Sequence, residues 1–162
     1  MAVMEWEGWK PQERAVLVFL QDGPDLLLIH KKRGLGAGKV SAPGGRLEPG
    51  ETWDDAAFRE TKEETGITVA SLTPAADLWF QFFDGYAMAA RVFLASGWTG
   101  ELTSCDEADP FWQSAALLPW DQMWADDALW LPLILKGQRV TGRFVFDGEQ
   151  MNEANLRVMQ RP

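Results

Sequence analysis

The sequence predicts an α+β fold with a mixed β-sheet, and three observations lead to this prediction. Apolar runs with the composition of β-strands recur along the whole chain. Two segments carry helical patterns with start and stop signals. Turn signals rich in glycine, proline or aspartate separate several of these runs. A strand-rich order with two helices is typical of a single α+β domain, which we expect to span residues 1–162.

The first part of the chain predicts a hairpin followed by two loops. Residues 1–12 form a polar leader that contains two of the tryptophans. The apolar runs Arg14–Leu20 and Leu26–His30 flank the turn sequence QDGPD and therefore predict a β-hairpin. The next segment, Lys31–Lys39, is a basic, glycine-rich loop, and Ser41–Gly50 is a second loop rich in glycine and proline.

The helix predicted over Trp53–Thr65 has signals at both ends. Thr52 is placed as the N-cap, and Asp55 stands three residues later in the capping-box position. Gly66 is placed to end the helix with a left-handed residue. An extended pattern resumes at Ile67–Leu72.

The second half of the chain predicts more strands and a second helix. Two strand-like runs, Asp77–Phe83 and Tyr86–Ala95, flank an Asp-Gly pair that is a strong hairpin signal. The other predicted elements are a turn at Gly97–Glu101, an acidic loop at Ser104–Pro110, a strand at Phe111–Leu117, a short helix within Pro119–Met123, a helix from Asp126 or Asp127 to about Lys136 that contains Pro132, and strands at Arg139–Phe146 and Asn155–Met159.

Composition limits the partners of the chain. It has 24 acidic and 15 basic residues and a formal net charge of −9, which disfavours polymeric nucleic acid and anionic membrane surfaces. No apolar run is long enough to span a bilayer, and residues 1–12 lack the apolar core of a signal peptide. Cys105 is the only cysteine and His30 the only histidine, which excludes an internal disulfide and a Cys/His zinc cluster. We therefore expect a cytoplasmic protein.

Three glutamates on the first predicted helix suggest a metal site. Glu60, Glu63 and Glu64 stand at i, i+3 and i+4 and so share one helical face. Lys62 points elsewhere, which leaves Arg59 as the only other cation within one turn of Glu63. The alternative is a solvated face with ion pairs. An uncompensated carboxylate cluster suits a hard divalent cation such as Mg²⁺, with Mn²⁺ as a possible substitute.

Residues before the helix extend this interpretation. Gly44 and Gly45 lie in a loop that can bring backbone carbonyls to the same cation. Glu51 stands eight residues before Arg59 and can accept an ion pair from it, which would orient the helix against the loop.

The segment Gly45–Ile67 resembles the signature of the Nudix hydrolase family, G-x5-E-x7-R-E-U-x-E-E-x-G-U, where U is a bulky aliphatic residue. Thr61 departs from this pattern, at a position that packs the helix on the sheet. The matching residues are Gly45, Glu51, Arg59, Glu60, Glu63, Glu64, Gly66 and Ile67.

The resemblance implies a fold and a reaction. The fold is a mixed sheet sandwiched between helices, an α/β/α arrangement. The reaction is metal-dependent hydrolysis of a nucleoside diphosphate linked to another group. The residues implied to hold Mg²⁺ are Gly44, Glu60, Glu63 and Glu64, and those implied to be catalytic are Glu51, Arg59 and the same three glutamates.

The resemblance extends over about residues 14–159 to the subfamily that hydrolyses oxidised purine nucleoside triphosphates. Its most distinctive block is MWADD, which ends at Asp127. Carried over, Trp124 stacks on the purine, and Asp126 and Asp127 hydrogen-bond its edge. The alternative for the two aspartates is that they cap the following helix.

Four more residues match positions in the substrate or metal site of that subfamily. Glu107 corresponds to a metal-binding or base glutamate, although it also reads as a solvated loop charge. Lys31 corresponds to a pocket lysine, although it also reads as a hairpin tip. Phe80 and Met88 correspond to pocket-lining residues, although strand residues of this kind are equally typical of a core.

Departures from the subfamily concern the base site. Ser41 stands where a base-reading Asn is usual, Ala15 where a Thr is usual, and Leu35 where an aromatic residue is usual. A hydroxyl cannot reproduce the hydrogen bonding of an amide, so the preference among purines is open.

The sequence therefore predicts a Mg²⁺-dependent pyrophosphohydrolase that converts a purine nucleoside triphosphate, oxidised or not, to the monophosphate and pyrophosphate. One alternative is a Nudix hydrolase of a nucleotide sugar, a dinucleotide or a pterin triphosphate. The other is a nucleotide sensor without turnover. The predicted partner is a small nucleotide; neither the oligomeric state nor a role for Trp6 and Trp9 follows from the sequence.

Overall fold

A computed structural model describes residues 4–159 of the chain, which form a nine-stranded mixed sheet with two α-helices and one 3-10 turn at Trp120–Gln122. The strands are β1 Glu13–Asp22, β2 Asp25–Lys31, β3 Val40–Ser41, β4 Gly44–Arg46, β5 Ile67–Phe82, β6 Ala87–Gly100, β7 Ala108–Ser114, β8 Arg139–Asp147 and β9 Gln150–Met159. The helices are α1 Trp53–Thr65 and α2 Asp127–Leu135.

The sheet is mixed, as predicted. Its strand order is β3-β2-β1-β6-β5-β8-β9, with β4 also paired to β1 and β7 also paired to β2. The pairs β1–β6 and β5–β8 are parallel, and the other pairs are antiparallel. The predicted β1–β2 hairpin is present but pairs only at its turn, at Gln21↔Leu26 and Asp22↔Asp25. Beyond this point the two strands separate, and β1 runs beside β6.

The ends of α1 follow the sequence signals. The Thr52 hydroxyl accepts a hydrogen bond from the Asp55 N–H at 3.0 Å, and the Asp55 carboxylate accepts one from the Thr52 N–H at 3.4 Å. Gly66 ends the helix with φ 81°, a left-handed conformation that glycine adopts without steric cost. The buried Thr61 hydroxyl donates to the Ala57 carbonyl at 2.8 Å, so the departure from an aliphatic residue leaves no unpaired polar group.

Several predicted strand limits are wrong because pairing across the sheet overrides local turn signals. The predicted turn at Gly97–Glu101 instead continues β6, where Thr99 pairs with Thr68 of β5. The runs Ile67–Leu72 and Asp77–Phe83 join into the single strand β5, with a register shift between Pro74 and Ala76. The last three residues of the predicted acidic loop belong to β7, which begins at Ala108 opposite Lys31.

Each helix covers a different apolar cluster. The cluster under α1 contains Val16, Val18, Leu20, Leu27, Ala56, Ala57, Ile67, Val69, Phe93 and Ala95. The cluster against α2 is larger and includes Phe19, Leu78, Phe80, Trp130, Ile134 and Phe144. The sheet therefore lies between the helices, which confirms the predicted layers. No helix within residues 4–159 is long and apolar enough to cross a membrane.

The N-terminal segment contacts the sheet through tryptophans. Trp9 stacks on Trp79 of β5 with ring centroids 4.8 Å apart, and Trp6 lies 5.4 Å from Trp9. The Trp9 indole N–H donates to Gln81 at 2.9 Å, and the Arg143 guanidinium lies 4.8 Å from the Trp79 ring. Three of the nine tryptophans of the chain thus form a packed cluster that joins this segment to β5 and β8.

Candidate active site

One cavity of about 910 Å³ contains nearly all the candidate site residues. Its walls come from strands β1, β3 and β4, from β2 and the loop after it, from helix α1, and from the facing ends of β5 and β6. The loop before β7, the start of α2 with the segment before it, and β8 complete them. The residues predicted for the site that line it are Lys31, Ser41, Gly44, Glu60, Glu64, Phe80, Met88, Glu107, Trp124, Asp126 and Asp127.

Three carboxylates in this cavity form a group that we name the carboxylate cluster: Glu60, Glu64 and Glu107. Each offers an oxygen, and these oxygens all lie within 4.8 Å of one another. Burial raises the pKa of Glu64 to about 7, against a hydrogen bond from the Gly44 N–H at 2.7 Å. Burial also raises the pKa of Glu60, against the opposing charge of Arg59. Glu60 and Glu64 are buried and Glu107 is exposed. Three carboxylates at this spacing fit a hard divalent cation, which would supply the missing positive charge.

Glu63 lies outside this cluster, although it shares the helical face. Its side chain is 57% exposed and pairs with Arg59 at 3.2 Å. The i, i+4 pair Glu60 and Glu64 therefore converges with Glu107, which comes from a loop more than forty residues away. Helical spacing alone did not distinguish Glu63 from its neighbours.

Arg59 joins α1 to the loop before it. Its guanidinium donates to both oxygens of Glu51, at 2.6 and 2.7 Å, which is the contact that the spacing predicts. It also donates to Glu60 at 2.8 Å and to the Arg46 carbonyl at 3.1 Å. The hydrogen bonds from Arg59 to Glu51 lower the pKa of the Glu51 carboxyl to about 2. The bidentate pair fixes the orientation of the helix that carries the cluster.

The two glycines before the helix permit a close approach. A Cβ at Gly44 would collide with the Val16 carbonyl, and one at Gly45 would lie 2.5 Å from the Glu60 carboxylate carbon. The Gly44 N–H donates to Glu64 at 2.7 Å, so this segment contacts the helix glutamates through its N–H. Ligation by the Gly44 carbonyl stays a prediction.

A second group in the cavity, which we name the aromatic wall, consists of Phe82, Trp124 and Phe146. The Trp124 ring is nearly perpendicular to Phe146, at 89° and 5.4 Å, and to Phe82, at 79° and 6.2 Å. The Lys39 ammonium lies 5.2 Å from the Trp124 ring centroid. These contacts hold the indole in one orientation beside the cavity.

Asp126 and Asp127 are buried beside this wall, with 2% and 6% exposure. Asp126 stands at the N-cap of α2, but its side chain makes no cap hydrogen bond and instead accepts one from the Trp130 indole at 2.7 Å. The capping alternative is therefore wrong for Asp126. Burial raises the pKa of both carboxyls, and the charge of Asp126 raises that of Asp127 further.

Lys31, Ser41 and Phe80 are three further residues predicted for the site, and all three line the cavity. Burial lowers the pKa of Lys31, against the charges of Glu64 and Glu107. The Ser41 hydroxyl donates to the Ala42 carbonyl at 3.0 Å. Phe80 both lines the cavity and stacks on Phe144 at 5.4 Å, so the pocket and core interpretations both hold for it.

Sequence reasoning missed some residues of the cavity wall. Glu13, Arg46 and Tyr86 line the cavity, and Arg46 donates to Glu13 at 3.0 Å. No motif surrounds Glu13 or Tyr86, and Arg46 occupies an unspecified position of the signature, so only the strand pairing reveals them. The sequence shows Lys39 as one charge of the basic loop, but it does not show that the Lys39 ammonium lies over the Trp124 ring.

We expect the metal-free protein to lose stability as pH rises from about 5 to 8. The Glu64 pKa is about 7 in the folded protein against an ordinary value of 4.5, so the folded state binds more protons than the unfolded state in this window. Calorimetry in a chelator should show Tm falling by roughly 5 °C or more. Glu64→Gln should flatten the profile, and a Tm that rises across this range would contradict the assignment.

Comparison with known proteins gives consistent matches. The NUDIX domain family matches residues 11–134. The chain is 40% identical over 136 residues to the oxidized purine nucleoside triphosphate hydrolase of Danio rerio, covering 83% of this chain and 87% of that protein. It is 34% identical over 134 residues to the protein of the same name from Mus musculus, covering 82% and 86%. The crystal structure of a MutT protein from Bacillus halodurans aligns with TM-score 0.80 and 26% identity, covering 89% of this chain and 97% of that one.

Proposed function

Because this chain belongs to the Nudix family of hydrolases, we propose that it hydrolyses a purine nucleoside triphosphate, oxidised or not, to the monophosphate and pyrophosphate. The observation that carries this proposal is that one cavity contains both the carboxylate cluster and the aromatic wall with its two buried aspartates. The first group suits a metal-bound phosphate chain, and the second suits a purine. The names of the two animal relatives support the same substrate class.

The carboxylate cluster would hold the divalent cation, which we propose to be Mg²⁺, with Mn²⁺ as a substitute. Glu60, Glu64 and Glu107 are the proposed ligands, with the Gly44 carbonyl completing the set and Glu63 one turn away on the same face. When bound, the cation neutralises charge on the phosphate chain and lowers the pKa of the attacking water.

The protein side chains orient the phosphates and receive the proton. Lys31 lines the cavity, and the negative charges of Glu64 and Glu107 act on its ammonium. From this position the ammonium can contact phosphate oxygens. Arg59, held by Glu51, keeps Glu60 in place. Glu64 and Glu107 are the two candidates for the carboxylate that takes the proton of the attacking water, and their Gln variants separate them.

The purine is bound by stacking and by a pair of carboxyls. Trp124 offers an indole face to the base. Asp126 and Asp127 lie in a buried, low-dielectric site where one carboxyl stays protonated, so the pair presents a donor and an acceptor together. The Ser41 hydroxyl already donates to Ala42, which leaves it an acceptor toward the base.

A substrate panel with Mg²⁺ tests the proposal. We expect pyrophosphate, and not orthophosphate, from dGTP, 8-oxo-dGTP and 2-hydroxy-dATP, with kcat/KM at least about tenfold above that for dCTP. Turnover of only nucleotide sugars, dinucleotides or pterin triphosphates would contradict the proposed substrate. Nucleotide binding without turnover of any compound would indicate a sensor.

A further inference from the structure

Lys39 has an unusual position for a loop lysine. Its side chain is only 18% exposed, and its ammonium lies 5.2 Å from the centroid of the Trp124 ring. The same ammonium pairs with the Glu149 carboxylate at 2.6 Å. One ammonium therefore contacts both the proposed stacking platform and an acidic side chain from another part of the fold.

These contacts connect two loops beside the cavity. Lys39 ends the loop after β2, and Glu149 lies in the turn between β8 and β9, next to the strand that supplies Phe146. The loop is also close to the indole at Gly36, where an added Cβ would lie 2.7 Å from the Trp124 indole nitrogen. The loop and the turn are thus held together at Trp124.

The energetics favour a role in the site over a role in the fold. Glu149 is 70% exposed, and an ion pair with one exposed partner contributes little to folding stability. The charge of Lys39, in contrast, acts on the buried Asp127 and on the face of the indole. Removing that charge should change the base site more than the stability of the protein.

We propose that Lys39 and Glu149 form a latch that holds the loop after β2 against Trp124 and so sets the affinity for the purine. The inference rests on the proposed function, because it takes Trp124 as the stacking platform. Lys39 is a positioning residue here, since it acts through Trp124 and Asp127. A preorganised base site lowers the ordering cost of binding, which affects substrate and transition state alike.

The test uses the full chain and steady-state hydrolysis of dGTP and 8-oxo-dGTP. We expect Lys39→Met and Glu149→Gln each to raise KM by roughly 3- to 10-fold with kcat within about twofold of the starting value. Adding Glu149→Gln to Lys39→Met should cause no further change, because the pair acts as a unit. Lys39→Arg keeps the charge and should keep KM within about twofold.

Lys136→Met is the matched control, because it removes the same charge from an exposed site after α2. An unchanged KM in Lys39→Met, additive effects of the two substitutions, or an equal change in the control would overturn the latch. The same variants are compared by calorimetry for binding of dGMP, where we expect a loss of affinity of roughly threefold or more. If the starting protein is inactive, the proposed function is contradicted. The dGMP affinities of the variants still test whether Lys39 and Glu149 form the latch.

Discussion

Glu64→Gln is expected to lower kcat for a purine triphosphate by about 10³-fold while the protein stays folded. Glu64 is the most buried member of the carboxylate cluster, at 3% exposure, and its oxygen lies within 4.8 Å of those of Glu60 and Glu107. The amide has the same shape but no negative charge for a cation and no capacity to accept the proton. Steady-state kinetics at saturating Mg²⁺, with circular dichroism of the variant, measures the effect.

The fold should tolerate Glu64→Gln. The glutamine oxygen can still accept the Gly44 N–H, and removal of a buried acid with a raised pKa relieves repulsion in the metal-free protein. Glu101→Gln, at an exposed carboxylate just after β6, is the matched control and should leave kcat unchanged. A folded Glu64→Gln with near-normal kcat would contradict the metal assignment.

Glu63→Gln gives a graded comparison on the same helix turn. Its side chain is exposed and paired with Arg59, so the geometry of the cluster predicts a smaller loss of kcat than Glu64→Gln causes. An equal loss would mean that the whole helical face, and not the cluster with Glu107, binds the cation.

Local signals predicted the elements whose determinants are close in sequence. The capping box at Thr52 and the left-handed Gly66 predicted both ends of α1 correctly, because the residues that determine each end lie within a few positions of it. The Asp84–Gly85 turn gave the β5–β6 hairpin for the same reason. The segment at Gly97 was misjudged as a turn because β6 continues past it: Ser96 pairs with Ser71 and Trp98 with Val69 of β5, although Gly97 itself has φ 71°.

The site shows the same division between local and distant determinants. The spacing of Glu60 and Glu64 placed them on one face, and the spacing of Glu51 and Arg59 predicted their ion pair. No local pattern says that Glu107 folds back onto α1, since its position depends on the pairing of β7 with β2. The contact of Lys39 with Glu149 joins residues more than one hundred positions apart, and only the tertiary structure shows it.

Trp124→Ala is expected to raise KM for purine triphosphates by roughly 10- to 100-fold while kcat changes by less than about threefold. The indole lines the cavity and is fixed by Phe82, Phe146 and Lys39, so it is ordered before a base arrives. Stacking on a base distant from the reacting phosphates is equally strong in the ground and transition states. Such uniform binding appears in KM and not in kcat.

Trp98→Ala separates this effect from a general loss of aromatic packing. Trp98 is 37% exposed, contacts the Trp112 ring at 5.4 Å and does not line the cavity. Its removal should leave KM unchanged, whereas Trp124→Phe should restore part of the affinity because a smaller ring still stacks. A fall in kcat at constant KM in Trp124→Ala, or an equal rise of KM in Trp98→Ala, would mean that Trp124 does not carry the base. In that case the burial of Asp126, whose side chain makes no cap hydrogen bond, would need another explanation than purine recognition.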